Sequence, residues 1–180
     1  MAQAAPQPAA ERRLALAEIL DWLVEDGVVA REPAEELKKE RRYWRGGQHP
    51  LTLVAGETWK DQRPPHKPLT LEALAEWLAR RVGLEYLHID PLKINFSVVT
   101  EVMSSAYASR FHILPVELNA KEVVVATAEP YVREWEPEIA RLARRAIRRV
   151  IANPTDIERC QVEFYNLAKS IKGANRAGGG

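Results

Sequence analysis

Apolar residues near the start of the chain recur at spacings of three and four, which predicts an amphipathic helix. From Glu11 onward this stripe consists of Leu16, Ile19, Leu20, Leu23 and Val24. Gly27 is a natural stop, because glycine readily adopts the left-handed conformation that closes many helices. Pro33 suits the first turn of a second helix over residues 34–44. The apolar run at residues 51–55 is interpreted as a short strand or an extended arm.

The second half of the chain begins with a clearer helical pattern. Thr70 can cap a helix that Gly83 ends. One face of this helix carries Leu71, Leu74, Ala75, Leu78 and Val82. Residues 84–89 are predicted to form a strand. Residues 97–110 are predicted to form one helix, with its inward side chains at Val99, Val102, Met103 and Ala106.

The remaining pattern predicts a hairpin, a helix, a strand and a closing helix. The hairpin strands are residues 112–118 and 122–127. The helix begins at Pro130 and carries Trp135, Ile139, Leu142, Ala143 and Ala146 on one stripe. A strand follows at residues 148–152. Thr155 and Glu158 are interpreted as a capping box for the last helix. That helix has its stripe at Ile157, Gln161, Phe164, Ala168 and Ile171.

These elements predict an α/β (α+β) fold of two parts, a small helical N-terminal subdomain followed by a compact mixed sheet-and-helix subdomain. Residues 1–10, rich in Ala, Gln and Pro, are predicted to be a disordered lead-in to the helical subdomain at residues 11–60. Three prolines make residues 61–68 a stiff linker and a subdomain boundary. The α/β subdomain then covers residues 69–172, and the glycine-rich residues 173–180 are interpreted as a flexible connector to a further C-terminal domain.

Composition narrows the class of protein. The chain has 180 residues, of which 46% are hydrophobic and 28% charged, with a formal net charge of +1. This balance is typical of soluble globular proteins and argues against a broad nucleic-acid surface. No apolar run approaches the roughly 20 residues that a membrane-spanning helix needs. A single cysteine, Cys160, cannot form an internal disulfide, which fits a reducing cytoplasm.

Motifs that would indicate catalysis are absent from the sequence. It contains no phosphate-binding Gly-x4-Gly-Lys-Ser/Thr loop, no Gly-x-Ser-x-Gly elbow and no His-Glu-x-x-His pair. The four histidines are far apart in sequence and none has a neighbour at metal-ligand spacing. His88 is therefore interpreted as a packed or surface residue, and Cys160 as an inert buried thiol. The sequence predicts no catalytic residue, no cofactor site and no metal site in this chain.

Arginines are concentrated near the end of the helix that is predicted to begin at Pro130. Steps of three and four residues separate most members of the group Arg141, Arg144, Arg145, Arg148 and Arg149, and most of them are predicted to share one face of the helix or of its exit. This face is either a solvated surface offset by nearby glutamates or a surface that uses the planar guanidinium to bind carboxylate or phosphate. Trp22 and Trp77 are expected to fill the contact between the subdomains. The candidate partner-binding residues are Arg141, Arg144, Arg145, Arg148, Trp22 and Trp44.

A series of short motifs carries a resemblance to a known family. They are LTLEALAEWLA at 69–79, VGLEYL at 82–87, IDPLKI at 89–94, HILPVE at 112–117 and VVVATAEP at 123–130. In this order and spacing the stretch resembles the N-terminal domain of the type II secretion and type IV pilus assembly ATPases, the E component and its pilus counterpart. The similarity covers residues 69–172 well and the first 60 residues weakly.

The resemblance implies a non-catalytic docking and regulatory role. In this family the domain links a hexameric motor to the cytoplasmic part of an inner-membrane platform protein. ATP and Mg²⁺ are then expected only in a C-terminal ATPase domain beyond this chain. The isolated domain is expected to be monomeric and cytoplasmic, peripheral to the inner membrane through its partner, without nucleic acid and without direct membrane insertion.

Binding of cyclic di-GMP is the alternative that the resemblance offers. Some members of the family bind this nucleotide through a repeated Arg-Leu-Gly motif. In this chain Glu18 stands at the arginine position and Leu20 at the first glycine position, and Pro68-Leu69-Thr70-Leu71 lacks the signature as well. An acidic side chain at residue 18 repels phosphate, so binding in the family's manner is not expected.

Overall fold

A computed structural model describes residues 11–40 and 47–178, except for the side chain of Val98. The predicted lead-in at residues 1–10 lies outside the described residues, and so does Trp44. The first half of the described chain is helical. Its helices are α1 (Leu16–Glu25), α2 (Arg31–Lys39), α3 (Pro50–Gly56) and α4 (Leu71–Val82).

Two of these helices follow the sequence pattern closely. The predicted stripe of α1 supplies four buried residues, and the chain leaves the helix through Gly27 at φ +70°. Thr70 caps α4, because its hydroxyl accepts a hydrogen bond of 3.1 Å from Ala73 N. Gly83, at φ +73°, ends α4 in the left-handed conformation. Both helices therefore begin or end where local chemistry predicts.

The other two helices differ from the predicted elements. Residues 51–55 are neither a strand nor an arm, since they lie inside α3. The His49 ring caps this helix by accepting a hydrogen bond of 3.1 Å from Leu51 N, and Pro50 occupies the first helical position, which suits its fixed φ. Helix α2 begins at Arg31 and ends at Lys39, earlier at both ends than the predicted 34–44.

A four-stranded mixed sheet forms the centre of the second half, which confirms the α/β fold. Its strands are β1 (Glu85–Tyr86), β2 (Ile113–Leu118), β3 (Glu122–Thr127) and β4 (Ala146–Ile151). The order is β1-β4-β3-β2, with β4 parallel to both neighbours and β2 antiparallel to β3. The predicted β2–β3 hairpin is confirmed. Its turn dispenses with glycine because Asn119 Oδ1 accepts bonds from Lys121 N and Glu122 N.

The helices around the sheet differ from the pattern in their bounds and in two of their inward positions. Residues 97–110 form two helices, α5 (Phe96–Val102) and α6 (Ser105–Phe111), because Ser104 caps a new helix by accepting from Tyr107 N at 3.2 Å. Ala106 is exposed. Helix α7 (Glu136–Ala143) begins after Pro130, and Ala146 belongs to β4. Leu142, predicted to face inward, is 57% exposed.

The last helix, α8 (Pro154–Ala177), also starts and ends differently from the prediction. Asn153 is its N-cap, accepting from Thr155 N at 2.9 Å and Asp156 N at 3.4 Å, so the predicted capping box is wrong. The helix continues through Gly173, and Ile171 on the predicted stripe is 43% exposed. The role of the C-terminal residues as a connector stays a prediction.

Hydrophobic side chains on both sides of residues 61–68 pack into one cluster. This helical cluster joins buried residues of α1, α3 and α4, among them Leu20, Leu51 and Leu78, and it includes Ile151 of the sheet. Gln62 N donates to Val28 O at 2.9 Å, which ties the proline-rich segment to the helices. The division of the chain at residues 61–68 stays a prediction, and the helices on its two sides share a core.

Two further clusters cover the faces of the sheet. Along β3, Val124 and Ala126 face a cluster that contains Ile157, Cys160 and Phe164 of α8. Val123 and Val125 face the opposite cluster, which contains Trp135 and Ile139 from the α7 region. This alternation follows from the two-residue period of a strand. The β2–β3 turn lies beside the residues that follow α7, since Ala146 N donates to Lys121 O at 3.2 Å.

Candidate functional site

The arginine-rich run does not lie on one face, contrary to the prediction. Helix α7 ends at Ala143, and Arg144 then adopts a left-handed conformation with φ +54°. The chain enters β4 two residues later. Since successive side chains of a strand point to opposite faces, Arg148 and Arg149 are directed away from each other. The run is therefore divided between a helix end, a turn and a strand.

Three of these arginines are held by neighbouring groups. Arg145 donates from Nε to Asn119 O and from Nη1 to Ala143 O, each at 2.7 Å. Arg148 bridges Glu122 at 2.9 Å and Glu85 at 2.6 Å, which links β4 to the strands on both its sides. Arg149 lies 2.8 Å from Glu136, and burial lowers the pKa of its guanidinium. These contacts fasten β4 and the turn before it to the neighbouring strands and to α7.

Arg141 and Arg144 are not held in this way. Both are exposed, and within the part of the chain that the structure describes neither guanidinium has a hydrogen-bond or ion-pair partner. Leu142 is exposed between them. Lys121 is exposed in the adjacent β2–β3 turn, where its carbonyl accepts from Ala146 N at 3.2 Å. We call the exposed residues around the end of α7 the α7 tip, composed of Lys121, Arg141, Leu142 and Arg144.

Two of the tryptophans, Trp22 and Trp77, lie in the helical half. Trp77 is 4% exposed and donates from Nε1 to Asp26 Oδ2 at 2.9 Å. Trp22 is partly buried against the helical cluster, and the Arg81 guanidinium lies 5.2 Å from the centre of its ring. Arg81 also bonds to Asp26 at 2.7 Å. The use of Trp22 and Trp44 as partner-binding residues stays a prediction.

A cavity of about 700 Å³ opens between the helical half and the N-terminus of α8. Its polar lining includes Arg13, Gln48, His49, His112, Glu129 and Glu158. The His49 ring is fixed there, with Nε2 2.7 Å from Ala128 O and Nδ1 accepting from Leu51 N. Burial lowers the pKa of His49 to about 4. This histidine is therefore neutral near pH 7, with its proton on Nε2.

Glu129 lies beside His49 in the same wall of the cavity. Its side chain is 12% exposed, and Oε2 accepts a hydrogen bond of 2.8 Å from Leu14 N. Its other oxygen lies 3.6 Å from His49 Nε2. Burial raises the pKa of Glu129 to about 7. The two groups are therefore not an ordinary ion pair at neutral pH, because His49 is uncharged there.

The other residues considered in the sequence have simpler surroundings. Cys160 is buried, and burial raises the pKa of its thiol, which favours the unreactive protonated form. His88 is exposed and bonds to Glu72 at 2.7 Å, an interaction that raises the pKa of the imidazole. No helix among the described residues is long and apolar enough to cross a membrane.

The sequence is similar to those of known proteins. The MshEN domain matches residues 82–171, which is half of the chain. The type IV pilus assembly ATPase TfpB of Acinetobacter baylyi is 32% identical over 164 residues, which make up 88% of this chain and 27% of that protein. The chain thus spans about a quarter of the length of this curated relative.

Two solved structures share the fold. The structure of MshE with cdg has a TM-score of 0.55 at 17% identity and covers 85% of this chain and 100% of that one. The N-terminal domain of XpsE has a TM-score of 0.51 at 16% identity and covers 86% of this chain and 99% of that one. At such identities the likeness concerns the fold alone.

The helical half packed on a mixed sheet is therefore the architecture of an N-terminal domain of a type II secretion or type IV pilus ATPase. The chain belongs to the MshEN domain family. This confirms the family that the ordered motifs between residues 69 and 130 indicated.

Proposed function

We propose that this chain is a non-catalytic docking domain that links a secretion or pilus assembly ATPase to its inner-membrane platform. Membership of the MshEN family, together with the similarity to a pilus assembly ATPase, is the observation that carries the proposal. The chain itself has no phosphate-binding loop motif. Binding of ATP and Mg²⁺, and assembly into a hexamer, then belong to further domains of a longer cytoplasmic protein.

The α7 tip is the surface best suited to a protein partner. Arg141, Arg144 and Lys121 supply positive charge that no acidic group among the described residues neutralises. Leu142 supplies an exposed apolar side chain in the same tip. Interfaces often combine a small desolvated centre with a polar rim, and complementary charge speeds association. The partner is then an acidic cytoplasmic segment of a platform protein, which would hold the motor at the membrane periphery.

A pull-down from membrane extracts tests this proposal. The bait is the chain, compared with the double variant Arg141→Glu/Arg144→Glu. The control, Arg80→Glu/Lys93→Glu, makes the same change in net charge at exposed positions outside the tip. The chain and the control should recover an inner-membrane component of a secretion or pilus system, and the tip variant should recover at least about tenfold less, because charge reversal opposes the acidic partner.

Two results would count against different parts of the proposal. Equal recovery by all three baits would leave docking in place and remove the α7 tip as its site. Failure of every bait to recover such a component, at both low and moderate salt, would remove the docking function.

Cyclic di-GMP binding is the second candidate, since a cavity of about 700 Å³ is large enough for a small ligand and the similar fold of MshE was solved with cdg. Against it, Glu18 is acidic and bonds to Arg12 at 2.6 Å, and two glutamates line the cavity. We expect calorimetry to detect no binding. Micromolar affinity that is lost in Arg13→Glu would favour this candidate instead.

A further inference from the structure

Three potential metal ligands that are distant in sequence meet at the seam between the two halves of the molecule. Glu72 lies in the first turn of α4, His88 follows β1, and Asp156 lies in the first turn of α8. One ligand atom from each lies within 4.8 Å of the other two. The shortest separation, 2.7 Å, joins His88 Nδ1 to Glu72 Oε1.

Neighbouring side chains orient both carboxylates. Asn153 Nδ2 donates to Glu72 Oε2 at 3.2 Å. Arg159 Nη2 donates to Asp156 Oδ1 at 2.9 Å, which leaves the second oxygen of that carboxylate for another ligand. Such outer contacts hold metal ligands in position in many proteins and tune their affinity.

The ligand set indicates the kind of ion. One imidazole with two carboxylates suits Zn²⁺ and related transition metals, whereas Mg²⁺ and Ca²⁺ prefer oxygen ligands alone. Bonds of about 2.0–2.2 Å in a tetrahedral site place ligand atoms roughly 3.3 Å apart. The His88 and Glu72 atoms would therefore separate by only about half an ångström. Two carboxylates also offset the partial positive charge at the N-terminus of α8.

We propose that Glu72, His88 and Asp156 form a binding site for a divalent transition metal, with Zn²⁺ preferred and water completing its coordination. The bound ion replaces the direct hydrogen bond between His88 and Glu72. Because Glu72 lies on α4 and Asp156 on α8, the ion braces the helical half against the sheet half. The site lies apart from the α7 tip and does not depend on the docking function.

Calorimetric titration with Zn²⁺ of the chelator-treated chain tests the proposal. The parent chain should bind one equivalent, and Mg²⁺ at the same concentration should give no binding. His88→Asn and Glu72→Gln should each weaken Zn²⁺ binding by about tenfold or more, through loss of one ligand. The matched control is His66→Asn, which removes another exposed imidazole and places a residue that tolerates the positive φ of +59° found there.

Folding is checked in the same samples by circular dichroism and by the melting temperature. Zn²⁺ should raise the melting temperature of the parent chain and of His66→Asn, and should raise that of His88→Asn by clearly less. The proposal is overturned if the parent chain binds no Zn²⁺. It is equally overturned if folded His88→Asn and Glu72→Gln bind the ion as tightly as the parent chain does.

Discussion

At the scale of single residues, His49 and Glu129 share the wall of the cavity and respond to pH in opposite senses. Burial lowers the pKa of His49 from 6.5 to about 4, so the folded state loses stability as pH falls through this range. Burial raises the pKa of Glu129 from 4.5 to about 7, so the folded state loses stability as pH rises from 4.5 towards 7. Between pH 4.5 and 6.5 the two effects oppose each other.

Replacing Glu129 with Gln should remove the opposing contribution of the carboxyl, so that the contribution of His49 to the pH dependence of stability becomes visible. The amide oxygen can still accept the hydrogen bond from Leu14 N, while the titration of the carboxyl disappears. Relative to the parent chain, the free energy of unfolding of Glu129→Gln should rise by about 2–3 kcal/mol between pH 4.5 and 6.5, at about 1.4 kcal/mol per pKa unit. Urea denaturation at several pH values measures this difference.

An exposed glutamate on α8 provides the control for this experiment. Glu163→Gln removes a carboxyl at an exposed position, so its unfolding free energy should follow that of the parent chain across the same pH range. Parallel curves for Glu129→Gln and the parent chain would contradict the buried, proton-binding role of Glu129.

Residue patterns in the sequence predicted the core better than the surface chemistry. The apolar stripes of α1 and α4 are buried as their spacing indicates, because a 3.6-residue period directs them to one side. The predicted arginine face was wrong because the helix was expected to continue to Ala146, whereas it ends at Ala143 and Arg144 turns left-handed without a glycine to signal it. His49 and Glu129 meet only through tertiary packing, which spacing along the chain does not encode.

At the scale of elements, the ends of helices were predicted less well than their existence. Helix α8 begins at Pro154, which takes the first helical position and makes Asn153 the cap. The Thr155–Glu158 pair has the composition of a capping box, but Thr155 lies after the actual cap, Asn153, inside the first turn of the helix. The sequence contained the correct signal in Asn153-Pro154, which the more conspicuous pair obscured.

Substitution of the cap tests this assignment. Asn153→Ala should lower the free energy of unfolding by about 1 kcal/mol, within a usual range of roughly 0.5–2 kcal/mol, because Thr155 N and Asp156 N lose their acceptor. Thr155→Ala should change it by no more than a few tenths of a kcal/mol. Chemical denaturation at one pH gives both values.

Serine at the same position separates capping from the contact with Glu72. Asn153→Ser keeps a good capping side chain but is too short to replace the bond to Glu72. It should therefore recover most of the stability lost in Asn153→Ala. A larger loss for Thr155→Ala than for Asn153→Ala would restore the capping box as the start of α8.

At the scale of the whole molecule, the helical half and the sheet half meet along α4, β1 and β4. Ile151 of β4 belongs to the helical cluster, and Arg148 connects β1, β4 and β3 through two glutamates. The proline-rich segment suggested a division because its composition is typical of linkers. Packing between α1, α3 and α4 is non-local, so composition alone did not show that the helices on both sides share a core.

The class of the protein was nevertheless accessible from the sequence, because the order of several loose motifs is more specific than any one of them. The surface proposed for partner binding could not be predicted from the sequence. Which arginines of the run stay exposed and unpaired depends on which of them the fold holds in hydrogen bonds and ion pairs. Arg145, Arg148 and Arg149 are held by neighbouring groups at and beside β4, and this leaves the α7 tip as the cationic surface on which the docking proposal rests.

Site-specific photo-cross-linking tests docking at the α7 tip most directly. A photoreactive amino acid is placed at position 142, an exposed position of the tip, or at position 80 as the exposed control, and the chain is expressed in the bacterium that encodes it. We expect an ultraviolet-dependent cross-link from position 142 to an inner-membrane component of a secretion or pilus system, and none from position 80. Absence of that product from position 142, in cells that assemble the machine, would contradict docking through this surface.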